Sequence, residues 1–155
     1  MTEDARFEDA RDRPLNIGAM DPDDLAILSA LAQDAVFPAT EMTWQPRARR
    51  FAILLNRLRR EEAGSQRPPE RVQSVLVVEH AQRLASQGID RSDKDTILSL
   101  LSITFEPGED AAGHVILTLA GDGAIRAEVE ALELTLKDVT RPYLAPSGKT
   151  PTHPD

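Results

Sequence analysis

Residues 114–139 read HVILTLAGDGAIRAEVEALELTLKDV, and the fold turns on how this stretch pairs with itself. Val115, Leu117 and Leu119 alternate with His114, Ile116 and Thr118. Past a glycine-flanked break, Ile125, Ala127 and Val129 alternate with Arg126, Glu128 and Glu130. A two-residue period marks a strand with one wet face, because successive strand side chains point to opposite sides. The apolar positions are odd-numbered on both arms, so opposed partners on one face must have an even sum. Pairing Leu119 with Ile125, Leu117 with Ala127 and Val115 with Val129 meets this and leaves Gly121, Asp122 and Gly123 as the loop. A two-residue loop would instead set Arg126 opposite Leu119 on the core face. The expectation is therefore a hairpin with a type I turn over Gly121 and Asp122 and with Gly123 in the left-handed conformation. Because the Gly-Asp-Gly does not lead from a strand into a helix, it reads as a turn rather than a phosphate cradle. Beyond Val129 the parity flips to Leu132, Leu134 and Leu136, which predicts a bulge near Ala131 in a continuing strand. A helical turn through Val129, Leu132, Leu136 and Val139 is the alternative.

Upstream, Leu15 to Met20 reads as a short strand with Leu15 and Ile17 facing a core. Asp21-Pro22-Asp23-Asp24 is a helix start. Asp21 can accept from orphan amides, Pro22 sits at the first helical position where its missing N–H costs nothing, and the acidic residues face the positive end of the dipole. Leu25, Leu28, Leu31, Ala32, Ala35 and Val36 then form an apolar stripe that Pro38 ends. Laying that stripe on a sheet buries both surfaces, at roughly 1.5–3 kcal/mol for each large side chain before entropy. Met42, Trp44, Phe51, Ile53 and Leu55 read as two strands around the turn Pro46-Arg47-Ala48-Arg49. Trp44 has two readings, plain core or the wall of a ligand pocket, and core is the more economical.

Arg57 to Pro69 reads as a protruding polar loop. Val72 to Val78, apolar on both sides, reads as a central strand covered on both faces. Residues 79–87 read as a continuing strand closed by Gly88 and Ile89, with a short helix as the alternative, residues 90–95 as a polar loop, and Thr96 to Phe105 as a strand with Ile97, Leu101, Ile103 and Phe105 in phase. Together these segments predict an α+β domain over residues 14–140, a curved, mainly antiparallel sheet of about six to eight strands with one long helix packed on it. A partly closed barrel of pleckstrin-homology type is the alternative. Residues 1–13 read as a mobile tail, and residues 141–155, with four prolines, as an extended one.

At 155 residues the chain is long enough to bury a sizeable core without cross-links. It has no cysteine, which excludes disulfides, thiolate metal sites and a cysteine nucleophile together. No apolar run approaches the roughly 18 residues needed to span a bilayer, and the first residues are charged, so a cytoplasmic protein without membrane contact is expected. A net charge of −8 argues against general nucleic-acid binding, which needs basic charge facing phosphates.

The strongest local departure from that acidity is Arg47, Arg49, Arg50, Arg57, Arg59 and Arg60. If Arg47, Arg49, Arg57 and Arg59 share one face of the hairpin, they form a candidate site for an anion or a partner, gripping phosphate, carboxylate or RNA by forked contacts. A solvated face paired with nearby acids is the plainer reading. Asp90, Asp93 and Asp95 loosely resemble a calcium loop but lack its glycine and distal glutamate, so turns formed by their own side chains are expected there. His80, His114 and His153 lack zinc spacing, no serine lies in a nucleophile elbow, and Glu128 and Glu130 read as a strand's wet side. No metal, cofactor or catalytic residue is therefore assigned.

LAILSALAQDAV at 25–36, GIDRSD at 88–93, ILSLLSITFEPGE at 97–109 and GAIRAEVEALE at 123–133 resemble domain-of-unknown-function family 2948, a group of small bacterial proteins. The resemblance covers about residues 15 to 140. It implies one domain and supplies no catalytic motif. The leading functional expectation is a non-enzymatic binding or assembly module with a protein partner or a second copy of itself. One alternative is a small enzyme or binder for an anionic metabolite, in which Arg50 or Arg57 converges with Glu128 or Glu130. RNA contact through the same arginines is another.

Overall fold

A computed structural model of the chain describes residues 14–59, 70–90, 92–140 and 143–144. The expected tail at 1–13, the greater part of the expected loop and of the C-terminal tail, and Arg60 lie outside these residues. Eleven strands and one α-helix are present among the described residues: β1 Asn16–Ala19, α1 Pro22–Ala32, β2 Val36–Pro38, β3 Met42–Gln45, β4 Arg50–Leu58, β5 Glu70–Val78, β6 Ala81–Gln87, β7 Ile97–Pro107, β8 Gly113–Leu119, β9 Ala124–Val129, β10 Leu134–Asp138 and β11 Tyr143–Leu144. Every pairing is antiparallel. The order is β1-β10-β5-β4-β2-β7-β8-β9-β6, with β3 beside β4 and β11 beside β5. The fold is α+β with a curved sheet that does not close into a barrel.

The helix starts as its cap predicts. Asp21 is extended, and its Oδ1 accepts from Asp24 N–H at 2.8 Å. Leu25, Leu28 and Ala32 are buried, and the helix lies on β7, β1 and β4. It ends earlier than the stripe suggests. Asp34 adopts a left-handed conformation (φ 68°), its N–H donates to Leu100 O at 2.7 Å, and Ala35 and Val36 pass into the ladder instead of extending the helix.

Val36 is the junction of the sheet, standing between Asn56 of β4 and Ser99 of β7. There the sheet forks. Phe37 and Pro38 follow β7, whereas after one 3₁₀ turn, Ala39–Glu41, strand β3 rejoins β4, with Trp44 opposite Phe51. In β5, Val72, Ser74, Leu76 and Val78 are buried and Val75 and Val77 half-buried, so one face is fully covered and the other partly.

The hairpin keeps the expected face and shifts its register by two. Leu117 opposes Ile125 and Val115 opposes Ala127, with all four buried. Leu119 N–H donates to Gly123 O at 2.9 Å, so the loop is Ala120, Gly121 and Asp122. Gly121 (φ 82°) and Asp122 (φ 69°) hold the left-handed positions, and Gly123 does not. An even shift preserves the buried set, which is why hydrophobic pattern alone does not decide between the two registers.

Two other phases differ from expectation. A bulge between Leu100 and Ser102 reverses the strand, so Leu98, Leu100 and Ile103 are buried while Ile97 and Leu101 are 61% and 40% exposed. The parity change after Val129 is no bulge. The chain leaves β9 at Glu130 and crosses to the other half of the sheet, where β10 pairs with β5 and β1.

Candidate functional site

Of the six arginines, the five that are described do not converge. Arg57 is fully buried on β4, on the same face as Phe51, Ile53 and Leu55. Its Nη2 donates to Asp138 Oδ1 at 2.8 Å and its Nε to Ser74 Oγ at 2.9 Å, and Ser74 Oγ donates to the same carboxylate oxygen at 2.7 Å. Asp138 Oδ2 accepts from Leu15 N–H at 2.8 Å, which ties the first strand to the last part of the domain. These bonds carry β4 to Leu58, where a loop had been expected from Arg57 onward. Arg59 is also buried and meets Glu70 at 2.7 Å. Arg49 pairs with Glu130, Arg50 with Glu79 at 3.1 Å, and Arg47 lies exposed in the β3–β4 turn. Arg57 and Arg59 do not share a solvent face with Arg47 and Arg49, because β4 alternates and its odd positions face the core. The ion pairs described for Arg50 and Arg57 are with Glu79 and Asp138, just past β5 and on β10, rather than with Glu128 or Glu130.

The aspartates of the 90–95 loop act on their own backbone. Asp90 Oδ1 accepts from Ser92 N–H at 3.0 Å and from its hydroxyl at 2.6 Å, and Asp93 Oδ1 accepts from Asp95 N–H at 2.9 Å. The Ser92 hydroxyl and amide stabilise the ionised form and hold the Asp90 carboxyl below the ordinary aspartate value.

A cavity with room for a ligand lies where the sheet fails to close. Among the described residues β3 pairs only with β4, and β6 ends the strand order, so each has an open edge. At one end the edges are pinned: Ala81 N–H donates to Arg49 O at 2.9 Å, and the Arg49–Glu130 ion pair lies over the same corner. Farther along, toward Thr40 on β3's side and Ser86 on β6's, no strand pairing joins the two among the described residues. Between them is a cavity of about 360 Å³, lined by Ala39, Thr40, Met42, Trp44, Phe51, Leu84, Ala85, Ser86 and Ile125.

Burial orders that lining from floor to mouth. Phe51 and Ile125 are buried at the base, Met42, Trp44 and Leu84 are half-buried walls, and Thr40, Ala85 and Ser86 are exposed at the rim. None of the described lining residues is ionisable. Trp44 and Phe51, cross-strand partners, give the cavity its aromatic surface. Trp44 thus belongs to both readings the sequence left open, packing against the core and walling a pocket. No local motif marks this site, since its lining comes from four separated stretches. Trp44, the single tryptophan, is the one residue that signals it in sequence.

The chain belongs to the family described as Protein of unknown function (DUF2948), whose model matches residues 15–153. The match runs on past residue 140, where the resemblance read from sequence had ended. No curated protein and no solved structure matches the chain. No helix among the described residues is long and apolar enough to cross a membrane.

Proposed function

We propose, for a family whose description carries no activity, that this protein is a non-enzymatic binding module and that the cavity between β3 and β6 is its binding site. One observation carries the reading: a 360 Å³ space walled by Trp44 and floored by Phe51 and Ile125 opens at the seam of an otherwise continuous sheet. Binding sites are typically concave, apolar and about 300–1,000 Å³ in volume, with few polar groups to orient the ligand. Acid–base or nucleophilic chemistry needs titratable or nucleophilic groups converging on a reacting atom, and the lining offers hydroxyls alone. Arg49 and Arg50, before Phe51 on the same stretch, are engaged by Glu130 and Glu79.

Screening a chemically diverse small-molecule library by Trp44 fluorescence tests this reading. Hits should alter Trp44 emission, lose affinity in a Ser86→Phe variant that fills the mouth from the face Ser86 shares with Ile125, and be recovered unchanged. Conversion of the hits to product, or hits indifferent to Ser86→Phe, would overturn it.

A further inference from the structure

Resting on that reading of the cavity, we infer that its ligand is a compact, uncharged ring compound bearing one hydrogen-bonding substituent, held with the ring between Trp44 and Leu84 and the substituent at Thr40 and Ser86. Charge decides the first part. The described lining has no ionisable side chain to neutralise a charge, and an unpaired charge drawn off water onto Phe51 and Ile125 is strongly disfavoured. Even at the mouth a charged substituent gives up part of its hydration without an ionic partner in that lining, so anionic and cationic ligands are disfavoured alike.

Shape decides the second part. The cavity is bounded, at about 360 Å³, and beyond it the Ala81–Arg49 hydrogen bond joins the two edges, so an added strand cannot pass between them without breaking that bond. Trp44 and Phe51 give the space its aromatic surface, on which a planar ring gains offset or edge-on contacts beyond simple burial. Chemistry at the rim decides the third. Thr40 and Ser86 are the hydroxyl-bearing residues of the lining and lie at its exposed mouth, where a carbonyl, amide or hydroxyl of the ligand can bond without being buried unpaired.

Matched probes test the assignment: benzamide, benzoate and benzamidine share a ring and differ in charge, and the alcohols from butanol to decanol differ in length. Binding is read from Trp44 fluorescence in wild type and in Ser86→Phe. Benzamide is expected to bind at least about tenfold tighter than either charged analogue and to be lost in Ser86→Phe. Among the alcohols affinity should level off, instead of rising about fourfold with every methylene as it does in an open channel. Replacing both rim hydroxyls, Thr40→Val with Ser86→Ala, should weaken benzamide about two- to tenfold and leave toluene unchanged.

Benzoate or benzamidine binding as tightly as benzamide, with the same loss in Ser86→Phe, overturns the ligand class and leaves the site standing. A steady rise through decanol does the same. Benzamide binding that is insensitive to Ser86→Phe overturns both the class and the site. Both substitutions at the rim lie at exposed positions, and far-ultraviolet circular dichroism of each variant checks that the fold is retained.

Discussion

Arg57 and Asp138 meet at 2.8 Å inside the core although eighty-one residues separate them, with their side chains 0% and 1% exposed. A guanidinium so deeply placed is stable because a carboxylate, a hydroxyl and a carbonyl satisfy it together, the last being Leu58 O at 3.4 Å. Asp138→Ala removes the charge partner and is expected to cost about 3–5 kcal/mol in urea unfolding. The double replacement Arg57→Met, Asp138→Leu should retain more stability than Asp138→Ala, because no uncompensated charge remains. A double variant as unstable as the two single changes added together would contradict this.

The hairpin loop separates two glycines that look alike in sequence. Gly121 has φ 82° and open space around the position of a Cβ, so Gly121→Ala is expected to cost about 1–2 kcal/mol from backbone strain alone. Gly123 lacks a left-handed φ, and a Cβ there would meet its nearest neighbours, Gln87 O, Gly88 O and Leu119 Cβ, at 3.5 Å, an ordinary contact. Gly123→Ala should be neutral or stabilise by up to about 1 kcal/mol by restricting the unfolded chain. Thermal unfolding of the two variants checks the order, which is the reverse of that expected from sequence.

Ser29 serves the bulge in β7. Its hydroxyl accepts from Ile103 N–H at 2.9 Å, next to the point where the β7–β8 register shifts. Ser29→Ala leaves that amide without its acceptor and should cost about 1–3 kcal/mol. Amide hydrogen exchange at Ile103 should quicken by a larger factor than at Leu117 on the neighbouring strand.

The Asp90 carboxyl is held below its ordinary value by Ser92. A folded-state value lower than the unfolded one stabilises the fold above the unfolded value, and that contribution is lost as pH falls through the folded one. Carboxyl carbon NMR should place the Asp90 midpoint below that of an unperturbed aspartate, and Ser92→Ala should move it upward.

What was legible in the sequence follows from the range of the interactions involved. The helix start at Asp21-Pro22 was readable because cap chemistry acts within three residues. The buried set of the hairpin was readable because side-chain alternation is local, whereas its register depended on the left-handed geometry of Gly121 and Asp122. Leu101 was misplaced because the bulge beside it is supported by Ser29, on another element. Arg57 looked like solvent-facing charge because its partner Asp138 arrives from β10, and the break at Glu130 looked like a bulge because nothing local announces a crossing to β5. The candidate site was the least legible part. Thr40, Phe51, Leu84 and Ile125 each sit in ordinary strand or turn contexts, and only the folded sheet brings them around one space.

The central claim is that the seam cavity takes an uncharged ring, and amide NMR shift mapping during titration with benzamide tests it most directly. The account predicts perturbations concentrated at Thr40, Met42, Leu84, Ala85, Ser86 and the Trp44 indole. Perturbations centred instead on Arg49 and Arg50, or none up to the solubility limit of benzamide, would contradict it.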